Sequence, residues 1–167
     1  MNNTNYLIEF EDYENKSISQ LIQDIRLTEG IKLNDLKVKD LTYYHNEIIN
    51  PGLGVYIFKL NNTFFHIGKV RSNSFTERIP KHFDIRPKSW FNRLLFITCR
   101  EYYNIPLDNS NYIKASDFVF NNLSLVLLNI KNIDKIDTIE KIMRSNTETL
   151  NKFKYKKYDE SLILSSL

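Results

Sequence analysis

The sequence predicts an α+β fold, a small mixed or antiparallel sheet of about three core strands flanked by helices. Three observations predict it. Two apolar runs, residues 55–60 and 64–67, are separated by Asn61-Asn62-Thr63 and read as a β-hairpin. Ile18, Leu21, Ile22 and Ile25 recur at helical spacing behind Ser17. Near the other end, Ile139, Ile142 and Met143 mark the apolar face of a further helix.

Taken in order, residues 1–16 are acidic and polar, with Tyr6-Leu7-Ile8-Glu9-Phe10 suited to a short strand. Ser17 caps the first helix and Gly30 stops it. Asn34-Asp35 suits the cap of a second short helix carrying Leu36, Leu41 and Tyr44. Pro51-Gly52 then breaks the chain. Residues 1–51 are therefore expected to form an N-terminal elaboration, packed on a core that spans residues 52–167. After the hairpin, residues 74–83 predict the first core helix. Pro80 lies inside it and biases Ile79 away from the helical region, so the helix starts near Pro80 or kinks there. Residues 89–93 open another helix, 94–99 read as a third strand, and 101–117, rich in Asn, Asp and Tyr, as an exposed loop. Residues 123–130 suit a strand or a helix start, and Asp137 is the expected cap of the helix that carries Glu140. The tail interleaves Lys152, Lys154, Lys156 and Lys157 with Phe153, Tyr155 and Tyr158.

A chain of 167 residues fits one domain, and its 42% hydrophobic and 26% charged content is that of an ordinary soluble protein. No apolar run reaches the ~18 residues of a membrane span, and the N-terminus is too polar for a signal peptide, so a cytoplasmic location is expected. The single cysteine, Cys99, excludes an internal disulfide framework and a multi-cysteine zinc module. Charge is unevenly spread. Residues 66–100 hold eight Lys or Arg against two acids, whereas residues 1–50 hold nine acids against five bases. Such a basic stretch reads either as a DNA-binding surface, with Arg71, Lys81, Arg86, Lys88 and Arg93 as contacts, or as a solvated charged face. Trp90, Phe91, Tyr155 and Tyr158 suit either base stacking or packing.

The chemistry concentrates in and after the hairpin. Tyr56 and His66 fall on neighbouring strands and can face one pocket. Arg78 and His82 follow four residues apart, a spacing that shares one face of a helix. With Lys69, these supply a phenol, two imidazoles, a guanidinium and an ammonium, a set able to handle phosphate.

Gly54-Val55-Tyr56, His66-Ile67-Gly68, Arg78, His82, Glu140 and Leu150-Asn151 occur in the order and spacing of a known nuclease motif. Over residues 52–153 the chain resembles the GIY-YIG nuclease family. The resemblance implies a DNA endonuclease in which Glu140 holds one Mg2+ or Mn2+ ion. It casts Tyr56 as general base or water-positioner, with Lys69 or Arg78 favouring its phenolate, Arg78 as phosphate clamp and His82 as proton acceptor. Gly54, Gly68 and Asn151 are its structural positions. The sequence departs from the family at His66, which replaces the second tyrosine, at Val70 in place of Ser or Thr, and at Glu148-Thr149, where a proline is usual. Among members, the compact restriction enzymes that cut palindromes as homodimers are the most similar. A free-standing phage or mobile-element nuclease, and a degenerate module that binds DNA without cutting, are the alternatives.

Overall fold

The computed structural model describes residues 5–153 and 156–167. Lys154 and Tyr155, two of the tail positions singled out above, lie outside the described residues. The elements run β1 (Leu7–Glu9), α1 (Ile18–Leu27), β2 (Ile31–Lys32), β3 (Tyr43–Tyr44), β4 (Glu47–Ile48), β5 (Gly54–Leu60), β6 (Thr63–Val70), α2 (Phe75–Arg78), α3 (Arg93–Ile97), α4 (Asn109–Asn122), β7 (Leu123–Asn129) and α5 (Ile133–Asn146). The fold is α+β. Its main sheet has the order β1-β7-β5-β6, with β2 also paired to β7. The central strands β6, β5 and β7 are antiparallel, and β1 joins β7 in parallel, so the sheet is mixed.

Alternation along β5 sends successive side chains to two cores. Val55 and Ile57 meet Ile22 and Ile25 of α1 and Ile139 and Met143 of α5 on one face. Tyr56 and Phe58 meet Phe75, Leu94 and Tyr112 on the other. A β-bulge in β6 sets Phe58 opposite His66 and Lys59 opposite Phe64, leaving Phe65 as the extra residue. The bulge keeps Phe64 in the α1 core while Phe65 and His66 both reach the Tyr56 face.

β1 and β2 both pair with β7, and α1 fills one core, so residues on either side of the expected 51/52 boundary share one sheet. Ser17 caps α1 by accepting from the Gln20 amide at 3.2 Å, as predicted. At the other end of α1 the buried Lys59 ammonium donates to the carbonyls of Ile25 (3.2 Å), Arg26 (2.8 Å) and Thr28. Those are the carbonyls a helix end leaves unpaired.

Four readings of the sequence are corrected. Residues 94–99 form α3 and the π-helical turn Thr98–Tyr103, not a strand. Leu94, Leu95, Ile97, Thr98 and Cys99 are buried and Phe96 half-buried, and a run apolar at nearly every position carries no period that separates strand from helix. Much of the expected loop at 101–117 is α4, whose cap Asp108 accepts from the Asn111 amide at 2.9 Å. The cap of α5 is Asn132, not Asp137, which lies within the helix. Asn34-Asp35 caps no helix; Val38–Leu41 is a 3-10 turn entered from Lys37, and Tyr44 belongs to β3. Among the described residues, no helix is long and apolar enough to cross a membrane.

Candidate active site

Tyr56 on β5 stands opposite Gly68 on β6, and its ring lies across that glycine: a Cβ at Gly68 would overlap the phenol ring and hydroxyl. Gly68 is thus needed for space. Gly54 is needed for both space and conformation, since its φ is +142° and a Cβ there would strike the Leu128 carbonyl. These contacts give a physical reason for a glycine in each tripeptide. Because β6 is the edge strand, the phenol is carried to the rim of the sheet, close enough to α5 for Glu140 and Arg144 to act on it.

Arg78 ends α2, which Ser74 caps by accepting from the Glu77 amide at 3.2 Å. The chain then tightens into a 3-10 turn, Ile79–Phe83, with Pro80 in its first turn, where a missing N–H costs little. Arg78 and His82 therefore do not lie on one continuous α-helix, yet both reach Tyr56. His82 Nε2 is 2.7 Å from Tyr56 Oη, and Arg78, which donates from Nη1 to the Phe91 carbonyl at 3.3 Å, acts on the phenol by charge.

The Leu94 amide donates to His82 Nδ1 at 3.2 Å. A ring nitrogen that accepts is unprotonated, so the proton of the neutral imidazole sits on Nε2 and is donated to Tyr56. Burial, with smaller contributions from His66, Arg78 and Arg93, holds the His82 pKa well below the ordinary histidine range, which keeps the ring neutral. The expected role of His82 as proton acceptor is thereby corrected: toward Tyr56 it is a donor.

Tyr56 itself is pushed up to about 12, by burial first; Arg78 and Arg144 oppose the shift and Glu140 adds to it. The expectation that cations favour the phenolate holds for Arg78 in direction only, because burial outweighs it. Lys69 is engaged elsewhere, with Asp137 at 2.8 Å and Glu140 at 3.6 Å.

His66 stacks near Tyr56, with centroids 6.3 Å apart and planes 17° from parallel, and meets His82 edge-on at 5.2 Å. Burial first, then Arg144, Arg78 and Arg93, lower its pKa to about 3. Its Nδ1 is buried with no hydrogen-bond partner. His66 is a neutral ring in the wall of the site.

Glu140 is buried on α5, 4% exposed. Its Oε1 accepts from Arg144 Nη1 at 2.8 Å, and its Oε2, buried with no hydrogen bond, faces the Lys69 ammonium at 3.6 Å. Among the described residues, no group of three or more His, Cys, Asp or Glu is arranged to hold a metal ion. A single buried carboxylate oxygen that accepts no hydrogen bond fits a hydrated Mg2+ or Mn2+ ion, which takes its remaining ligands from water and substrate oxygens, provided the Lys69 ammonium gives way. Arg144 was missed by the sequence reading. Its signal was present, as a basic residue one helical turn after Glu140.

Asn151 holds the edge strand. Its Nδ2 donates to the Ile67 carbonyl at 2.5 Å, its Oδ1 accepts from the Ile67 amide at 3.1 Å, and its own carbonyl accepts from Arg144 Nε at 2.8 Å. One asparagine thus pairs an otherwise open stretch of β6 and orients the guanidinium beside Glu140. Of the expected DNA contacts, Arg71 lies apart, paired with Asp137 at 2.7 Å and Asp134 at 3.6 Å. Lys81, Arg86, Lys88 and Arg93 cluster on the segment that follows Arg78, where Lys81 pairs with Glu77 at 3.7 Å and Arg86 with Asp84 at 2.5 Å.

No protein-family model, curated protein or solved structure matches this chain.

Proposed function

We propose that this chain is a GIY-YIG-type endonuclease that hydrolyses DNA phosphodiester bonds with one divalent cation. The observation that supports this reading best is the convergence on Tyr56 Oη: His82 bonds to it at 2.7 Å, and Arg78 from α2 and the Glu140–Arg144 pair of α5 act on it by charge. A phenol oxygen with two cationic guanidinium groups and a carboxylate around it suits a phosphate and an attacking water.

Each residue has a task. Arg78 and Arg144, half-buried, bring guanidinium charge to the phosphoryl oxygens, with the remaining N–H groups of each as donors. His82 fixes the phenol, and the Leu94 amide fixes His82. In the resting site Tyr56 is a phenol and positions water through its own O–H. It serves as a base only after losing that proton, and the His82 donor on its oxygen and the charge of Arg78 then stabilise the phenolate. Glu140 would hold the cation, which would supply charge neutralisation at the scissile phosphate and the departing oxygen. The activity we assign is sequence-specific double-strand cleavage by a symmetric pair of chains.

A second reading, a related module that binds DNA without cutting, is favoured by one observation: Arg144 and Lys69 already engage the Glu140 carboxylate. Plasmid and genomic DNA incubated with magnesium or with EDTA, beside Glu140→Ala, separates the two. Discrete magnesium-dependent fragments that the variant fails to produce support the proposal. Smears or nicks keep the nuclease and remove sequence specificity. Binding without cutting under any divalent cation supports the module.

A further inference from the structure

Beside the His82 side of the site lies a pocket of about 410 Å³, lined by Lys88, Trp90, Arg93, Phe96 and Tyr112. One wall is the loop that follows His82. Asn92, itself buried, donates from Nδ2 to the carbonyls of Asp84 (2.7 Å) and Arg86 (2.9 Å), which folds that loop back on itself. The other wall comes from α3 and α4. Two features of this pocket, its indole and its phenol hydroxyl, have no partner among the described residues, and a third is its charge, although the Arg93 guanidinium lies over the Phe96 ring at 4.7 Å. Trp90 is 85% exposed, and among the described residues no ring stacks on it. Tyr112 is fully buried, yet its hydroxyl has no hydrogen-bond partner. Lys88 and Arg93 are exposed at the same pocket.

An exposed indole, an unpartnered buried hydroxyl and two cations are complementary to one chemical unit: a planar base with polar edges, linked to a phosphate. The pocket also adjoins the proposed site. Arg93 acts by charge on both His66 and His82, and its neighbour Leu94 donates to His82. We propose that this pocket receives one unstacked nucleobase of the DNA, stacked on Trp90 and bonded at its edge by Tyr112, with Lys88 and Arg93 at its phosphate. The proposal rests on the reading that the chain binds DNA, and it adds that the bound strand has a base drawn out of the helix. The cost of unstacking is least where a base is already unpaired, so a preference for such sites follows.

Trp90 is the single tryptophan of the chain, which makes its emission a direct reporter. The test compares a DNA duplex carrying one unpaired base with the same duplex fully paired, in EDTA, by gel shift and by tryptophan fluorescence on the full chain. The unpaired duplex is expected to bind on the order of tenfold tighter and to quench Trp90. Trp90→Ala, at an exposed position, and Tyr112→Phe, which keeps the buried ring, should each erode that preference in the gel shift. Equal affinity for the two duplexes, binding without quenching, or a preference intact in both variants overturns the proposal. Plasmid cleavage with magnesium is measured separately on the unaltered chain. Cleavage without the preference removes the pocket and leaves the nuclease, and the preference without cleavage does the reverse.

Discussion

His82 donates from Nε2 to Tyr56 Oη across 2.7 Å because its other nitrogen is already occupied by the Leu94 amide. A backbone N–H therefore decides the tautomer of one side chain and, through it, which way the proton of another must point. The phenol proton of Tyr56 therefore points away from His82.

Under the proposed activity, this arrangement predicts a characteristic pH dependence of the cleavage rate. Tyr56, pushed up to about 12, is a phenolate in only a small fraction of molecules near neutrality. If the phenolate is the base, the rate should rise by about tenfold per pH unit from ~7 to ~9. A histidine base would instead give a plateau above about pH 7. Single-turnover cleavage across that range distinguishes them.

The two buried histidines predict a loss of stability in mild acid. Both have folded pKa values below the ordinary one, so the unfolded chain takes up protons that the folded chain refuses. Stability should therefore fall as pH drops below about 6.5, approaching ~1.4 kcal/mol per pH unit for each ring. Glu148, lowered to about 2 by its Arg26 and Phe64 hydrogen bonds against the effect of burial, loses its contribution only below the ordinary carboxylate range and does not confuse this window. Urea titrations at pH ~7 and ~5 should show the fall, and His66→Gln should remove about half of it.

Gly68→Ala should damage fold and site together. The added methyl must displace the Tyr56 ring, an overpacking that costs about 1–3 kcal/mol. Chemical denaturation is expected to show that loss, and cleavage should fall by more than the residual folded fraction explains, because the phenol no longer meets His82.

Lys59→Met should destabilise the chain although it replaces a buried charge with a side chain of similar shape. The carbonyls of Ile25, Arg26 and Thr28 lose their donor, at a cost of about 1–3 kcal/mol for the group. A lowered urea midpoint with faster amide exchange in the last turn of α1 is the expected result.

The parts of the fold that sequence made visible are those with a local period or a local turn. Val55 to Leu60 and Phe64 to Val70 flank Asn61, which takes the left-handed backbone (φ +54°) that an asparagine tolerates, and the hairpin forms there. Leu94 to Cys99 had no such period, since five of its six residues are buried and Phe96 is half-buried. In α4 the buried residues Tyr112, Ala115 and Val119 do recur at helical spacing behind Asp108, but asparagine- and serine-rich composition obscured them. In the site, Tyr56, His66, Arg78, His82 and Glu140 were visible as residue types in order. Their roles were not. The direction of the His82 proton depends on the Leu94 amide, and the commitment of Lys69 depends on Asp137. Neither contact leaves a trace in the spacing of either residue.

The central claim is that the Tyr56 oxygen is the reacting centre of a nuclease. Its most direct test is magnesium-dependent DNA cleavage by Tyr56→Phe beside the unaltered chain, with circular dichroism confirming that both are folded. Phenylalanine keeps the ring over Gly68 and removes only the oxygen. The account predicts a fall in rate of at least ~100-fold with the fold retained. A folded Tyr56→Phe chain that cuts DNA as fast as the unaltered one contradicts it.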